Sequence, residues 1–573
     1  MVEAEGERLR EEFYRPQGPR GRRGNAPIDT EIEARLRARL QALLPCAFAG
    51  EETGTTPSDR EKSYLWMVDP QDGTFEFTSG RRGSAIAVAL LRDCIPVLGV
   101  VHSPLAPDRG GDTIAWAEGA PLQRNGRTLD TDLSRRRLAP GELVWATASS
   151  ALRPGTFSRA CAPARYVAMP SIAYRLARVA AGDGVATISV HGVNEYDIAA
   201  GLALIRAAGG VMLDAEGREV ALSGKCDLRL SGCFAGAPEA ALLLSKFPWS
   251  SLENEPRRAI RISLGYPRRD DPVRLSRALG CLLGQVIGDS LGSLVEFRSA
   301  AQIAQSHPGA VRDLADGGSY HTIAGQPTDD SELAITLARS IVFHRDYLPE
   351  KTKDAYRAWL TTRPIDVGVT TERGLLGQHT AESESNGSLM RVSPIGIWAA
   401  GDPARAARAA REDSALTHPN PVCVEACAGY CAAIAAGVAG ATVREMLATA
   451  LAHSSGAARA AIERGAAGAQ PEYEKNIGWV VIALQNAFFH LGKSGFESTL
   501  LATVASGGDT DTNAAIAGAL LGAAHGREAV PPRWILPLLA CRPLAEAGAP
   551  RPRPMELWPD DVLELAEALV FLL

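Results

Sequence analysis

The chain has 573 residues, more than one compact domain usually holds, and 46% of them are hydrophobic, ample for full-sized cores. With 60 basic and 66 acidic residues the formal net charge is −6, which excludes a general nucleic-acid-coating role. The start, MVEAEGERLREEF, lacks an apolar signal segment, no uninterrupted apolar run of about 18 residues predicts a membrane span, and ten cysteines without a CxxC pair fit a reduced cytoplasmic setting. Helical periodicity is expected over residues 28–44. An apolar strand is expected over 64–69, and two β-type runs, 85–91 and 95–102, flank Arg92-Asp93-Cys94 as a hairpin. Further strands are expected at 143–148 and 186–190, and a helix over 198–208, closed by Gly209-Gly210. This is a mixed α/β domain over residues 1–246. Residues 247–271, with three prolines and many charges, read as a linker. From Asp271-Pro272, an N-cap followed by proline at the first helical position, the texture turns to Ala, Leu and Gly at helical spacing, so 272–573 reads as nearly all helical. Cys423, Cys427 and Cys431 share one helix face and read as small apolar core.

Two acidic clusters carry the chemistry. Like charges at short range raise each other's pKa, and hard divalent cations with oxygen ligands are the usual remedy. The first cluster draws on Gly50-Glu51-Glu52, on Asp69-Pro70-Gln71-Asp72-Gly73-Thr74 and on Glu195-Tyr196-Asp197, with Asp29 near the start of the first long helix. Glu51, Asp69, Asp72, Asp197 and the Gln71 carbonyl could hold two or three Mg²⁺ ions, which would activate a water and neutralise phosphate charge. These elements, in this order, resemble the inositol monophosphatase superfamily. The resemblance implies an αβαβα sandwich and Mg²⁺-dependent phosphomonoester hydrolysis, with those five residues as metal ligands, Thr74 and Asp29 orienting the attacking water, and Gly73 at the substrate. Tyr196 stands where the family has tryptophan, and Ala26 where it has threonine. The segment Asp72-Gly73-Thr74-Phe75-Glu76-Phe77 is similar to that of the 3'(2'),5'-bisphosphate nucleotidases, implying a nucleotide- or sugar-nucleotide-type phosphate rather than inositol phosphate. Arg20, Arg22 and Arg23 could meet extra phosphate charge.

The second cluster lies in the helical half. Its pieces are Gly284 to Phe297 running to Glu296, then Thr328-Asp329-Asp330, then Ser385 to Arg391 as a turn suited to cradling phosphate, then Thr417-His418-Pro419, and last Gly508-Asp509-Thr510-Asp511-Thr512. Together they resemble the ADP-ribosylglycohydrolase family over about 261–573. That implies an all-α domain with a dinuclear Mg²⁺ or Mn²⁺ centre. Thr328, Asp329, Asp330, Asp509, Asp511 and Thr512 fall on the metal ligands and Glu296 on a catalytic or gating glutamate. Gly387, Ser388 and His418 fall in ADP-ribose-contacting loops.

The expected protein is a bifunctional hydrolase, a phosphomonoesterase followed by a glycohydrolase cleaving the C1'' bond of ADP-ribose conjugates. Its expected partners are small phosphates and ADP-ribose-containing substrates, an ADP-ribosylated macromolecule among them, with no membrane. The competing readings are a regulator that senses ADP-ribose-type ligands through one degenerate half, and an inositol monophosphatase fused to an unrelated glycohydrolase.

Overall fold

The computed structural model describes residues 1–22, 24–56, 63–224, 228–255, 269–378 and 381–572. Two compact units result, Met1–Asp270 and Asp271–Leu573. The first opens with helices α1 (Val2–Phe13) and α2 (Pro27–Leu43), strands β1 (Ala47–Gly50), β2 (Gly54–Thr56) and β3 (Tyr64–Asp72), and the short helix α3 (Thr74–Thr78). The strands β4 (Ala85–Arg92), β5 (Ile95–Ser103), β6 (Asp112–Ala117), β7 (Gln123–Arg124) and β8 (Arg127–Thr128) follow. They complete an eight-stranded sheet in the order β2-β1-β3-β4-β5-β6-β7-β8. The β4–β5 hairpin turns through Asp93 and Cys94 at φ 51° and 64°, the left-handed pair that a two-residue turn between twisted strands demands.

A five-stranded sheet holds β9 (Leu143–Thr147), β10 (Arg165–Met169), β11 (Ala186–Ser189), β13 (Val211–Leu213) and β15 (Cys233–Gly236), in the order β10-β9-β11-β15-β13. Its first three strands are parallel. A small ribbon pairs β12 (Val193–Asn194) with β14 (Arg229–Leu230). Helices α5 (Ile172–Ala180) and α6 (Glu195–Ala207) lie between the sheets, touching both. Helices α1 and α2 cover the outer face of the large sheet, while α4 (Pro154–Cys161) and α7 (Pro238–Ser245) cover that of the small one. This is the αβαβα layering. Two apolar cores fill the outer layers, one around Leu9, Phe13, Ile32, Phe48 and Val68, the other around Val144, Phe157, Tyr166, Ile188 and Phe234.

The expected linker begins later than its composition suggests. Residues Trp249–Asn254 form a 3₁₀ turn, Leu252 enters the second core, and Trp249 stacks near Phe157 with ring centroids 5.2 Å apart. The rest of that segment, 256–268, lies outside the described residues.

In the second unit α8 (Pro272–Gly292) begins as expected, with the Asp271 side chain accepting from the Arg274 N–H at 3.0 Å and Pro272 inside the first turn. The other helices used below are α9 (Asp329–His344), α10 (Pro421–Val438) and α11 (Thr510–His525). Glycines at every fourth residue of α8 let its backbone lie against that of α11. A Cβ on Gly284 would come within 2.1 Å of the Gly518 carbonyl oxygen, and one on Gly288 within 2.1 Å of that of Ala514. Helix α10, interrupted by Glu425, is long and apolar enough by length and composition to cross a membrane, and 72% of it is buried inside the unit. Its cysteines are core residues, with Cys423 and Cys431 donating to the carbonyls of Ser385 and Val392 at 3.3 and 3.2 Å.

Candidate functional site

The first cluster gathers at one end of β3. A register shift between Asp69 and Asp72 re-aims the strand where its carboxylates sit, and Gly73, at φ 96°, turns the chain into α3. The Thr74 hydroxyl lies 2.8 Å from the Gln71 carbonyl and 3.3 Å from Asp29 Oδ2. Asp72 Oδ2 accepts from the Ser171 hydroxyl and the Ala173 N–H, both at 2.6 Å, at the start of α5, where the helix dipole favours an anion. Asp197, in the first turn of α6, accepts from the Asn194 N–H at 2.6 Å.

Crowding shows in the acidities. Burial first, then Glu51, Asp72 and Asp197, hold the Asp69 carboxyl well above its usual range. Burial and Asp72 do the same to Asp197, and burial raises Asp72 as well. Loss of water, then Asp72, Glu52 and Glu33, push Glu51 up to about 7, against a hydrogen bond with Asp69. Asp29 rises to about 8 through burial, Glu52 and Glu51. The buried Asp69 Oδ2 and Asp29 Oδ1 meet no protein donor. An all-oxygen set with unsatisfied buried carboxylates suits hard divalent cations.

One residue here escaped the sequence. Glu33, fully buried one turn after Asp29, accepts from the Glu52 and Thr53 N–H groups at 2.8 Å and so fixes the Glu51-Glu52 turn. Gly50 makes room for it, since a Cβ there would sit 2.3 Å from the Glu33 carboxyl carbon. Arg20 is not available for a phosphate, because its guanidinium is taken up by Glu12 and Glu31 at 2.8 and 2.9 Å. Arg22 is exposed, and Arg23 lies outside the described residues.

The second cluster stands on the ends of α9 and α11. Thr328 is the N-cap of α9, with Asp329 and Asp330 in its first turn; Asp509 is the N-cap of α11, with Asp511 and Thr512 in its first turn. Carboxylate oxygens of Glu296, Asp509 and Asp511 lie within 4.8 Å of one another. All seven expected residues are buried. Burial, then Asp366, Asp289 and Glu296, raise Asp329; burial, then Asp289, Asp329 and Asp509, raise Asp330; burial, then Glu296 and Asp330, raise Asp511. Glu296 is pushed up to about 8 by burial and Asp509, with the nearby Tyr320 hydroxyl acting the other way. Glu296 Oε2 and Asp330 Oδ1 are buried without partners, and this donor set too fits divalent cations.

Asp289 and Asp366 were not singled out by the sequence. Asp289 Oδ1 accepts from the Thr328 hydroxyl at 2.9 Å, and its Oδ2 from the Ser331 N–H at 3.0 Å, locking the start of α9. Asp366 reaches the cluster through Tyr320, whose hydroxyl donates to it at 2.8 Å. Asn386 adds a donor to Asp509 Oδ2 at 2.7 Å.

The residues expected in the ADP-ribose-contacting loops are buried. Residues Asn386–Arg391 form a 3₁₀ turn with every residue buried. Ser388 is fully buried and meets Ser414 Oγ at 2.9 Å. His418 is fully buried, its ring nitrogens 2.7 and 2.9 Å from the Thr417 and Ser385 hydroxyls, and burial pushes its pKa down to about 3. Gly387 lies against that ring, where a Cβ would come within 3.1 Å. These residues brace the loop from behind.

Known proteins are similar to each unit in turn. Residues 270–570 match the family model of ADP-ribosylglycohydrolase, and residues 22–248 that of the inositol monophosphatase family. The chain is 30% identical over 269 residues to ADP-ribosyl-(dinitrogen reductase) glycohydrolase of Rhodospirillum rubrum, covering 45% of this chain and 89% of that one. It is 28% identical over 281 residues to the ADP-ribosylarginine hydrolase Tri1 of Pseudomonas putida, covering 46% and 74%. Through the other half it is 31% identical over 210 residues to a probable inositol 1-monophosphatase, ImpA, of Mycobacterium tuberculosis, covering 33% and 71%.

Proposed function

The chain belongs to the inositol monophosphatase family over its first unit and to the ADP-ribosylglycohydrolase family over its second, and from that membership we propose a bifunctional metal-dependent hydrolase with one active site in each unit. Both are hydrolase families. The observation that carries the reading is the same in both units: buried carboxylates are crowded until their pKa values rise, with oxygens that no protein donor satisfies.

In the first unit Glu51, Asp69, Asp72, Asp197 and the Gln71 carbonyl would hold Mg²⁺. Bound there, the ions would ready a water and offset phosphate charge. Asp29 and Thr74 do the positioning: the Thr74 hydroxyl, between the Gln71 carbonyl and Asp29 Oδ2, can accept from a water while Asp29 orients it. The substrate is a phosphomonoester of nucleotide or sugar type.

In the second unit Thr328, Asp329, Asp330, Asp509, Asp511 and Thr512 would hold a pair of Mg²⁺ or Mn²⁺ ions, which when bound would grip ribose hydroxyls and a water. Cleavage at the anomeric carbon builds positive charge on the ribose, and a ring of carboxylates stabilises it. Glu296, with a free Oε2 facing the cluster, is placed for proton transfer. The substrate is an ADP-ribose conjugate; an ADP-ribosylated protein fits the name of one relative and ADP-ribosylarginine that of another.

The test is a substrate screen of the whole protein with Mg²⁺, Mn²⁺ or chelator. It covers ADP-ribosyl-protein, ADP-ribose-1''-phosphate, adenosine 3',5'-bisphosphate and inositol phosphates. Metal-dependent turnover in both classes is expected. Turnover in one class alone favours the sensor reading for the other unit.

A further inference from the structure

The first cluster is assembled from elements far apart in the chain. Asp69 and Asp72 stand on β3 of the large sheet, and Asp197 comes from the first turn of α6. One oxygen of Asp197 is already taken, because its Oδ2 accepts from the Asn194 N–H at 2.6 Å, as in a capping box. Its carboxylate therefore keeps its aim only while that first turn stays wound. The body of α6 lies on β5, where an added Cβ on Gly99 would meet the Ala200 carbonyl oxygen at 2.4 Å. The first turn is held separately, by Glu195.

Glu195 is fully buried. Its carboxylate accepts from the Ser223 N–H, from the Ser223 hydroxyl at 2.8 Å and from the Gly224 N–H at 3.1 Å. An anion two residues from Asp197 adds repulsion to an already crowded cluster, and burial alone would favour an apolar side chain there. Three donors to one carboxylate offset that cost. What they hold is a short strap with a second anchor. The Ser223 carbonyl accepts from the Cys94 thiol, in the β4–β5 turn, at 3.3 Å. Gly224, at φ 69°, lies so close that an added Cβ would sit 3.0 Å from Cys94 Sγ and 3.7 Å from Leu65 Cδ2. Leu65 belongs to β3, the strand that ends in Asp69 and Asp72. The strap thus registers the start of α6 against the strand that bears the other acids.

We infer that Glu195 is a positioning residue of the first metal cluster: through the Ser223-Gly224 strap it sets Asp197 against Asp69 and Asp72, and so governs how tightly the cluster holds a divalent cation. The inference rests on the metal-dependent phosphatase reading and adds to it a residue that is no ligand. Glu195 acts on α6 as Glu33 acts on the Glu51-Glu52 turn, by a buried carboxylate that accepts from backbone N–H groups of the segment it fixes.

The experiment uses the full chain carrying Asp511→Ala, so that calorimetry with Mg²⁺ reads the first cluster. Adding Glu195→Ala should weaken Mg²⁺ binding by about 10- to 100-fold, the scale of a lost supporting group at a metal site. Glu195→Gln, which keeps one acceptor oxygen, should lose less. In chelator, hydrogen exchange over Val193–Asp197 should quicken about tenfold or more in Glu195→Ala, the scale of one hydrogen bond to a charged group, because the Asn194 N–H bond to Asp197 opens with the turn. Turnover of p-nitrophenyl phosphate should fall at limiting Mg²⁺ and recover in excess Mg²⁺. Gly224→Ala presses on Cys94 without touching the carboxylate; it should copy the weaker binding and serves if Glu195→Ala melts early. Parental Mg²⁺ affinity in the folded variants, or a loss of turnover that excess Mg²⁺ does not recover, overturns the positioning role. A wild-type chain that fails to hydrolyse p-nitrophenyl phosphate would instead overturn the phosphatase reading, and calorimetry and exchange would still decide Glu195.

Discussion

Gly292→Ala should cripple the second active site although Gly292 holds no ligand. The added Cβ would sit 2.3 Å from Asp511 Cα and 2.4 Å from its nitrogen, about 1 Å inside ordinary contact. Those neighbours are backbone atoms, so no side chain can swing away. The Thr510 hydroxyl also donates to the Gly292 carbonyl at 2.7 Å, tying the two helix ends together. Relief therefore requires α8 and the start of α11 to part, which carries Asp511 with them. Metal sites tolerate about 0.2 Å in ligand distance, several times less than the shift demanded. Overpacking should lower unfolding free energy by about 1–3 kcal/mol, a loss an otherwise folded unit can absorb. Cation affinity at this site should fall by tenfold or more, on the order of what a displaced supporting group costs. Gly284→Ala, two helical turns away with a comparable clash at Gly518, is the control: it should cost similar stability and less affinity. Urea denaturation with Mn²⁺ titration of both variants measures this. Wild-type Mn²⁺ affinity in folded Gly292→Ala would refute the claim that close helix contact positions Asp511.

Three further outcomes are expected. Asp289→Asn removes the charge that orients Thr328 and should weaken cation binding in the second unit by about 10- to 100-fold, leaving phosphate release intact; calorimetry reads the first and a malachite-green assay the second. Glu33→Ala removes the buried carboxylate to which the Glu52 and Thr53 N–H groups donate and should cost about 1–3 kcal/mol, the scale of hydrogen bonds to a charged group, with loss of phosphatase turnover; an unchanged melting temperature would refute its role in the turn. In chelator, stability should fall as pH rises from about 4 to 8. Asp29 and Glu296, raised to about 8, and Glu51, raised to about 7, bind protons in the folded chain that the unfolded chain has already released. Mg²⁺ should flatten the slope, and melting curves that rise with pH in chelator would contradict this.

The acids proposed as ligands were legible because they come in short motifs, several per turn, whose repulsion needs an explanation. Their supports were not. Glu33, Asp289 and Asp366 are single acids in ordinary helical or loop sequence, and only tertiary contact shows what they hold. The glycines of α8 recur at every fourth residue, but spacing alone does not say which helix lies against them. Helix α6 begins three residues before its expected start, at Glu195, because Asp197 folds back on the Asn194 N–H. The burial of His418 and Ser388 was not legible, since His and Ser occur both inside and at the surface and only tertiary contact decides. Composition also hid Leu252 and Glu255, which belong to the first unit though they lie in a proline- and charge-rich stretch.

The claim of two independent active sites is tested most directly by crossing two variants with two assays in the whole protein. Asp69→Asn should abolish phosphate release and spare ADP-ribose release; Asp511→Ala should do the reverse. Loss of both activities in either folded variant, or of neither, would contradict the account.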